Sequence, residues 1–232
     1  MARGGSNIVG QESVTVLLNL LLLVAGLTLI CIVLPLALAR TAVKRSDTAL
    51  LCFFASIGLG FMLVEISMLQ RLIVFLGHPI YSLSVILFTL LLASGIGSRL
   101  SARVESDRLR PAGAAFLALL TALVAAAGVA TAPLMAAFQA AETPVRIALS
   151  VGLLAAMGLF MGMAFPLGMR LAMVGRPQLA PWLWAVNGAV SVVASVLAVV
   201  IAMAYGISTS FWTGVAAYAI ALVAFLVASQ RR

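Results

Sequence analysis

An all-α, polytopic transmembrane bundle of about seven helices is the fold this sequence predicts, and three observations predict it. Hydrophobic residues make up 64% of the 232 and charged residues only 9%, against about 25% charged in soluble chains. The apolar residues gather in runs of roughly 20, long enough to cross a hydrocarbon core of about 30 Å as helix. Basic residues collect in alternate connections, the asymmetry that orients membrane helices. A mean hydropathy of +1.23 leaves no soluble class in competition.

The first span is expected at 14–39. Its Ala37-Leu38-Ala39 has the form of a signal-peptidase tripeptide. A polar leader from Gly4 to Ser13, the length of the run and positive charge after it rather than before all argue for an uncleaved helix. The second span, 48–70, carries Glu65 and ends near Arg71. A His78-Pro79 turn leads into the third, 80–97, which closes on Ser94-Gly95-Ile96-Gly97-Ser98. The fourth span is 112–138. The fifth, 145–167, contains Gly158-x-x-x-Gly162 and is read as terminating at Pro166, because proline removes a helical donor and crowds the preceding turn. The sixth, 182–205, starts at Trp182 and Trp184, placed as interfacial aromatics are, with Tyr205 and Trp212 at the opposite boundary. The seventh is 208–229. Short connections leave residues 1–232 as a single transmembrane domain.

One side of the membrane receives Arg40, Lys44 and Arg45, then Arg99, Arg103, Arg108 and Arg110, then Arg170 and Arg176, and finally Arg231 and Arg232. The other receives Arg3 and Arg146, with Arg71 near its boundary. The expected topology has the N-terminus outside and the C-terminus in the cytoplasm. The net charge of +8 follows from this bias, with the anionic lipid of the bilayer as counter-charge. Nucleic acid is excluded as a partner, since no basic, aromatic-studded surface exists. Cys31 and Cys52 lie inside spans without metal or redox spacing and read as small apolar fillers.

Glu65 is the first candidate ligand-binding residue, because an ionisable group within a span is costly. Gly58, Met62, Glu65 and Leu69 share one helical face. Arg71 stands six residues away and about 240° around the helix, so a straight helix does not pair the two. The alternatives for Glu65 are a structural carboxylate bonded across helices, a substrate or proton site, and a snorkelling interfacial residue. Arg71 is either a lipid-phosphate anchor or an anionic-ligand contact. His78 is read as capping its turn, a lone histidine being a poor metal ligand.

Asn187, Ser191 and Ser195 recur at i, i+4 and i+8. Small residues let helices approach and amide or hydroxyl groups then bond across the contact. Packing is therefore the first reading of this stripe and of Gly95, Gly97, Gly158, Gly162 and Gly188. A ligand cleft lined by Asn187 and Ser191 is the second. No phosphate loop, HExxH, paired-carboxylate or Ser/His/Asp pattern occurs, so no catalytic residue and no metal site is expected. No motif points to a cofactor.

The segment Gly58–Ser98 resembles the membrane region of integral-membrane spermidine synthase-like proteins, which combine a major-facilitator-like helical bundle with a soluble aminopropyltransferase-like domain. The matching residues are Glu65, Gln70-Arg71, Leu76-Gly77, Tyr81-Ser82-Leu83-Ser84 and Ser94–Ser98. A second block, Met161–Arg170 followed by Trp184-Ala185-Val186-Asn187-Gly188-Ala189, is also similar. The resemblance implies a bacterial inner-membrane protein. The nucleotide-type domain is missing from this sequence, so aminopropyltransferase activity is not implied.

Two functions remain open. The preferred one is a non-catalytic subunit or scaffold of a larger membrane complex, with other membrane subunits or a second copy as partners. The alternative is a transport-like module binding a small polyamine or cation, with Glu65 and Asn187 in an inter-helix cleft. A membrane-bound transferase is disfavoured by the catalytic inventory.

Overall fold

The computed structural model describes residues 3–30, 34, 38, 44–105 and 109–230, with side-chain surroundings from residue 15 onward apart from Leu18 and Ser46. Cys31, Arg40, Arg108, Arg231 and Arg232, and most of the predicted stretch 31–39, lie outside the described residues. Seven helices are seen: α1 (Arg3–Thr28), α2 (Thr48–Leu76), α3 (Pro79–Ser101), α4 (Leu109–Ala137), α5 (Thr143–Gly175), α6 (Ala180–Tyr205) and α7 (Ile207–Gln230). No strand occurs among the described residues. The helices α2 to α7 are each long and apolar enough to cross a membrane, whereas the apolar part described for α1 is only Thr15–Thr28. The segment expected to be a polar leader is helical from Arg3.

Two helix ends run furthest past the sequence reading, each for a local reason. α2 does not stop near residue 70 but runs on to Leu76. Arg71, a good helix former, does not break the helix, and its guanidinium reaches sideways to Ser208 at 3.3 Å. Termination waits for Gly77, whose φ of 77° is a left-handed conformation that glycine adopts without steric penalty. α5 continues nine residues beyond Pro166 to Gly175. That proline is internal to the helix, where it removes one backbone bond without ending the element.

His78 caps α3 through its backbone. It is extended, precedes Pro79 at the first helical position, and makes no side-chain cap bond. Its carbonyl accepts from Ser82 N–H and Oγ, and the same hydroxyl reaches the Leu72 carbonyl at 3.0 Å, fastening α3 to α2. The His78 ring meets Tyr81 edge-on.

α2 is the central helix, packed against α3, α5, α6 and α7. α3 lies along α5, α4 bridges α5 and α7, and α1 rests on α6. Phe53, Phe54, Leu63, Met68, Phe211 and Phe225 form the fully buried centre. α3 turns Ile80, Phe88 and Leu91 outward, each at least 70% exposed, a face suited to lipid. Arginines seal the helix ends. Arg146 donates to the Phe75 carbonyl at the end of α2, and Arg170 donates to the Ser101 and Val104 carbonyls beyond α3. These bonds satisfy carbonyls that have no intrahelical donor. At the same end as Arg170, Arg176 pairs with the buried Asp47 at 3.2 Å.

Candidate functional site

The polar stripe of α6 meets the small-residue face of α2. A side chain at Gly58 would sit 2.7 Å from the Asn187 carbonyl oxygen and 2.8 Å from both its amide nitrogen and Ser191 Oγ. Hydrogen in place of a side chain is what lets the two helices come this close. Asn187 uses that proximity: its Nδ2 donates to the Phe54 carbonyl at 2.9 Å. This commits the amide nitrogen and leaves Oδ1 as an acceptor.

Beside this contact lies a cleft of about 500 Å³. α2 contributes Gly58 and Met62, α3 contributes Ser94, Gly95 and Ser98, α5 contributes Gly162 and Pro166, and α6 contributes Asn187 and Ser191. The space exists because α5 and α6 scarcely touch along their length, although both flank α2. Pro166 has no N–H to offer the carbonyl of Gly162, one turn earlier, and both residues line the cleft. Aromatic rings complete it: Phe61, Phe165, Trp184 and Tyr218. Trp184 stands edge-on to Phe165 at 4.5 Å while remaining 62% exposed at the mouth. Trp184 thus faces the site as well as the bundle surface, a role its position at a span boundary did not signal. No lysine, arginine or histidine lines the cleft among the described residues.

The candidates separate cleanly. Asn187 and Ser191 are brought together in the cleft. Ser195 lies further along the stripe and bonds back to the Val192 carbonyl. Glu65, half-buried, sits two turns from Gly58, about 10 Å along the helix, and does not line the cleft itself. It is near enough to Tyr218, which does line it, to interact with that side chain electrostatically. Arg71 belongs elsewhere, about 20 Å from Gly58 along α2. Its guanidinium lies 4.8 Å over the Phe211 ring and bonds Ser208.

The glycines also divide. A side chain at Gly97 would overlap the Leu159 carbonyl and one at Gly162 the Ser94 backbone, while Gly158 lies against Ala93 and Leu90. These three make the α3–α5 contact. Gly188 has nothing within 4 Å, and neither does Gly95, which lines the cleft instead. Cys52 is exposed, with its sulfur 4.0 Å from Ser56 Oγ.

Tyr218 was not singled out from the sequence, and Phe165 and Trp184 stood there only as a motif position and an interfacial aromatic. Tyr218 carried a usable signal: it is the one tyrosine set deep within a span, where a hydroxyl needs a reason. No family model, curated protein or solved structure matches the chain. Function is therefore argued from the site, which is where function resides.

Proposed function

We propose that this protein is a ligand-binding, transport-like membrane module, and that the cleft between α2, α3, α5 and α6 takes the cationic head of an organic amine. One observation carries the reading. Hydroxyl- and amide-bearing residues of α3 and α6 line an aromatic-walled cleft that, among the described residues, holds no basic side chain. An ammonium group fits such a lining on two counts. It donates up to three hydrogen bonds, and it is attracted to ring faces, by up to about 2 kcal/mol once desolvated. Glu65 lies near Tyr218, where its ionised form would favour a cation over a neutral ligand. A chain serving only as a scaffold would have no use for an acceptor-lined void, since packing is better met by filling it.

The same reading places α1 as a seventh span, the N-terminus outside, the C-terminus in the cytoplasm, and the molecule in a bacterial inner membrane. The biased distribution of arginine supports this topology.

The test is a thermal melt of the full chain in detergent against butylamine. The amine is expected to raise the midpoint in a concentration-dependent way, as any ligand of the folded state must. Glu65→Gln and Asn187→Ala should each reduce that shift. A midpoint unmoved by butylamine, together with co-purification of a stoichiometric membrane partner, overturns the proposal in favour of the subunit reading.

A further inference from the structure

The acceptor-lined cleft does not end at Pro166. A second cavity, of about 560 Å³, adjoins it and shares Ser98, Phe165, Pro166 and Trp184 with it. From there the cavity follows α5 past Met169 to Met173 and Val174. From Phe165 to Val174 the helix advances about 14 Å. The two cavities are therefore one groove with two chemical characters. The inner part holds Asn187, Ser191 and Gly162. The outer part is walled by Leu109, Met169, Met173 and Val174.

Among the described residues, the single charged residue on the outer wall is Arg170. Its guanidinium is already engaged, donating at 2.8 Å to the Ser101 carbonyl and at 2.6 Å to the Val104 carbonyl. Spent on the end of α3, it offers the groove little beyond the apolar stem of its side chain. Flexible methionines suit an apolar occupant of variable shape. Met173 and Val174 are also 50% and 77% exposed, so the outer groove is open along its length.

Building on the amine reading above, we infer that the ligand is an amphiphilic monoamine, with its ammonium head among the inner acceptors and an alkyl tail lying along Met169, Met173 and Val174. A polyamine fits less well. Its distal charge would fall among the methionine and leucine side chains that line the outer part.

A chain-length series tests this on the full protein in detergent. Butyl-, hexyl-, octyl- and decylamine are titrated calorimetrically, with free amine measured by dialysis so that micelle partition is removed. Affinity is expected to rise by up to about fourfold per added methylene, the transfer gain of a buried CH₂, until the tail fills the groove. Octylamine should bind more tightly than 1,8-diaminooctane, and octanesulfonate should not compete. Met173→Trp fills the outer groove. It should leave butylamine affinity unchanged while weakening decylamine by tenfold or more. Val174→Trp, at an exposed position, provides the same test if the first variant folds poorly.

Equal chain-length dependence in the wild type and in both tryptophan variants overturns the tail assignment, as does tighter binding of the diamine. Those results leave the head site standing. Failure of butylamine to bind, or butylamine binding indifferent to Asn187→Ala, overturns the head site itself.

Discussion

The α3–α5 and α2–α6 contacts are built from the same ingredients and end in different structures. In the first, Gly97 and Gly162 bring main chain against main chain. In the second, Gly58 admits the Asn187 side chain and the Ser191 hydroxyl, and a cleft opens beside them. The difference lies in the third helix. Gly158 and Gly162 draw α5 onto α3, so α5 is held away from α6 and the space between them stays unfilled. Glycine permits close approach in both places. Whether the approach is sealed or left open depends on where the neighbouring helix is already engaged.

The strongest way to break this comparison is to crowd the sealed contact. Gly97→Val sets a branched side chain against the Leu159 carbonyl, which cannot rotate aside as a side chain would. Overpacking of this kind typically costs 1–3 kcal/mol and occasionally more. We expect about 3 kcal/mol or more here, read as a large fall in the detergent melting midpoint. A midpoint within a degree or two of wild type would mean that α3 and α5 are not in main-chain contact.

Gly58→Val probes the open contact and should be milder, about 1–2 kcal/mol. Its new side chain meets the Asn187 main-chain oxygen at 2.7 Å, a looser approach than the overlap at Gly97, and otherwise a side-chain amide and a hydroxyl that can move. The larger consequence should be loss of amine binding, because Asn187 is displaced into the cleft. Equal destabilisation by both glycine substitutions would erase the distinction between the two contacts.

Asn187→Ala sharpens it further. Interhelical hydrogen bonds within membranes average only about 0.6 kcal/mol, so stability should fall by less than about 1 kcal/mol. Butylamine affinity is expected to drop roughly tenfold, equivalent to about 1.4 kcal/mol. A stability loss much larger than the binding loss would make Asn187 a packing residue first.

The smallest effect is expected at Gly188, which has no neighbour within 4 Å. Replacing a helical glycine by alanine there should stabilise the protein by up to about 1 kcal/mol. Equilibrium unfolding should show a small gain for Gly188→Ala. A loss would place a partner against this face of α6.

Much of the helical layout could be read without coordinates, and the exceptions have physical causes. The starts of α2 to α7 lie within three residues of their predicted positions, because hydropathy and turn residues act locally. α2 and α5 overran their expected ends. Arg71 continues α2 and bonds Ser208, which is 137 residues away. Pro166 lies inside α5, where the missing N–H removes one backbone bond and the helix continues. The site was half legible. Asn187 and Ser191 stood out as polar residues at helical spacing in an apolar run, whereas Phe165 and Trp184 looked like ordinary membrane aromatics.

The sequence by itself determined that the chain is helical and which helices are apolar enough to enter a bilayer, since both depend on sums over neighbouring residues. Only the tertiary structure decided which glycines touch a neighbour, what Arg146 and Arg170 cap, and that Asn187 bonds the Phe54 carbonyl 133 residues earlier. Helical periodicity marks a face. The helix that meets that face is chosen by the packing of the whole bundle.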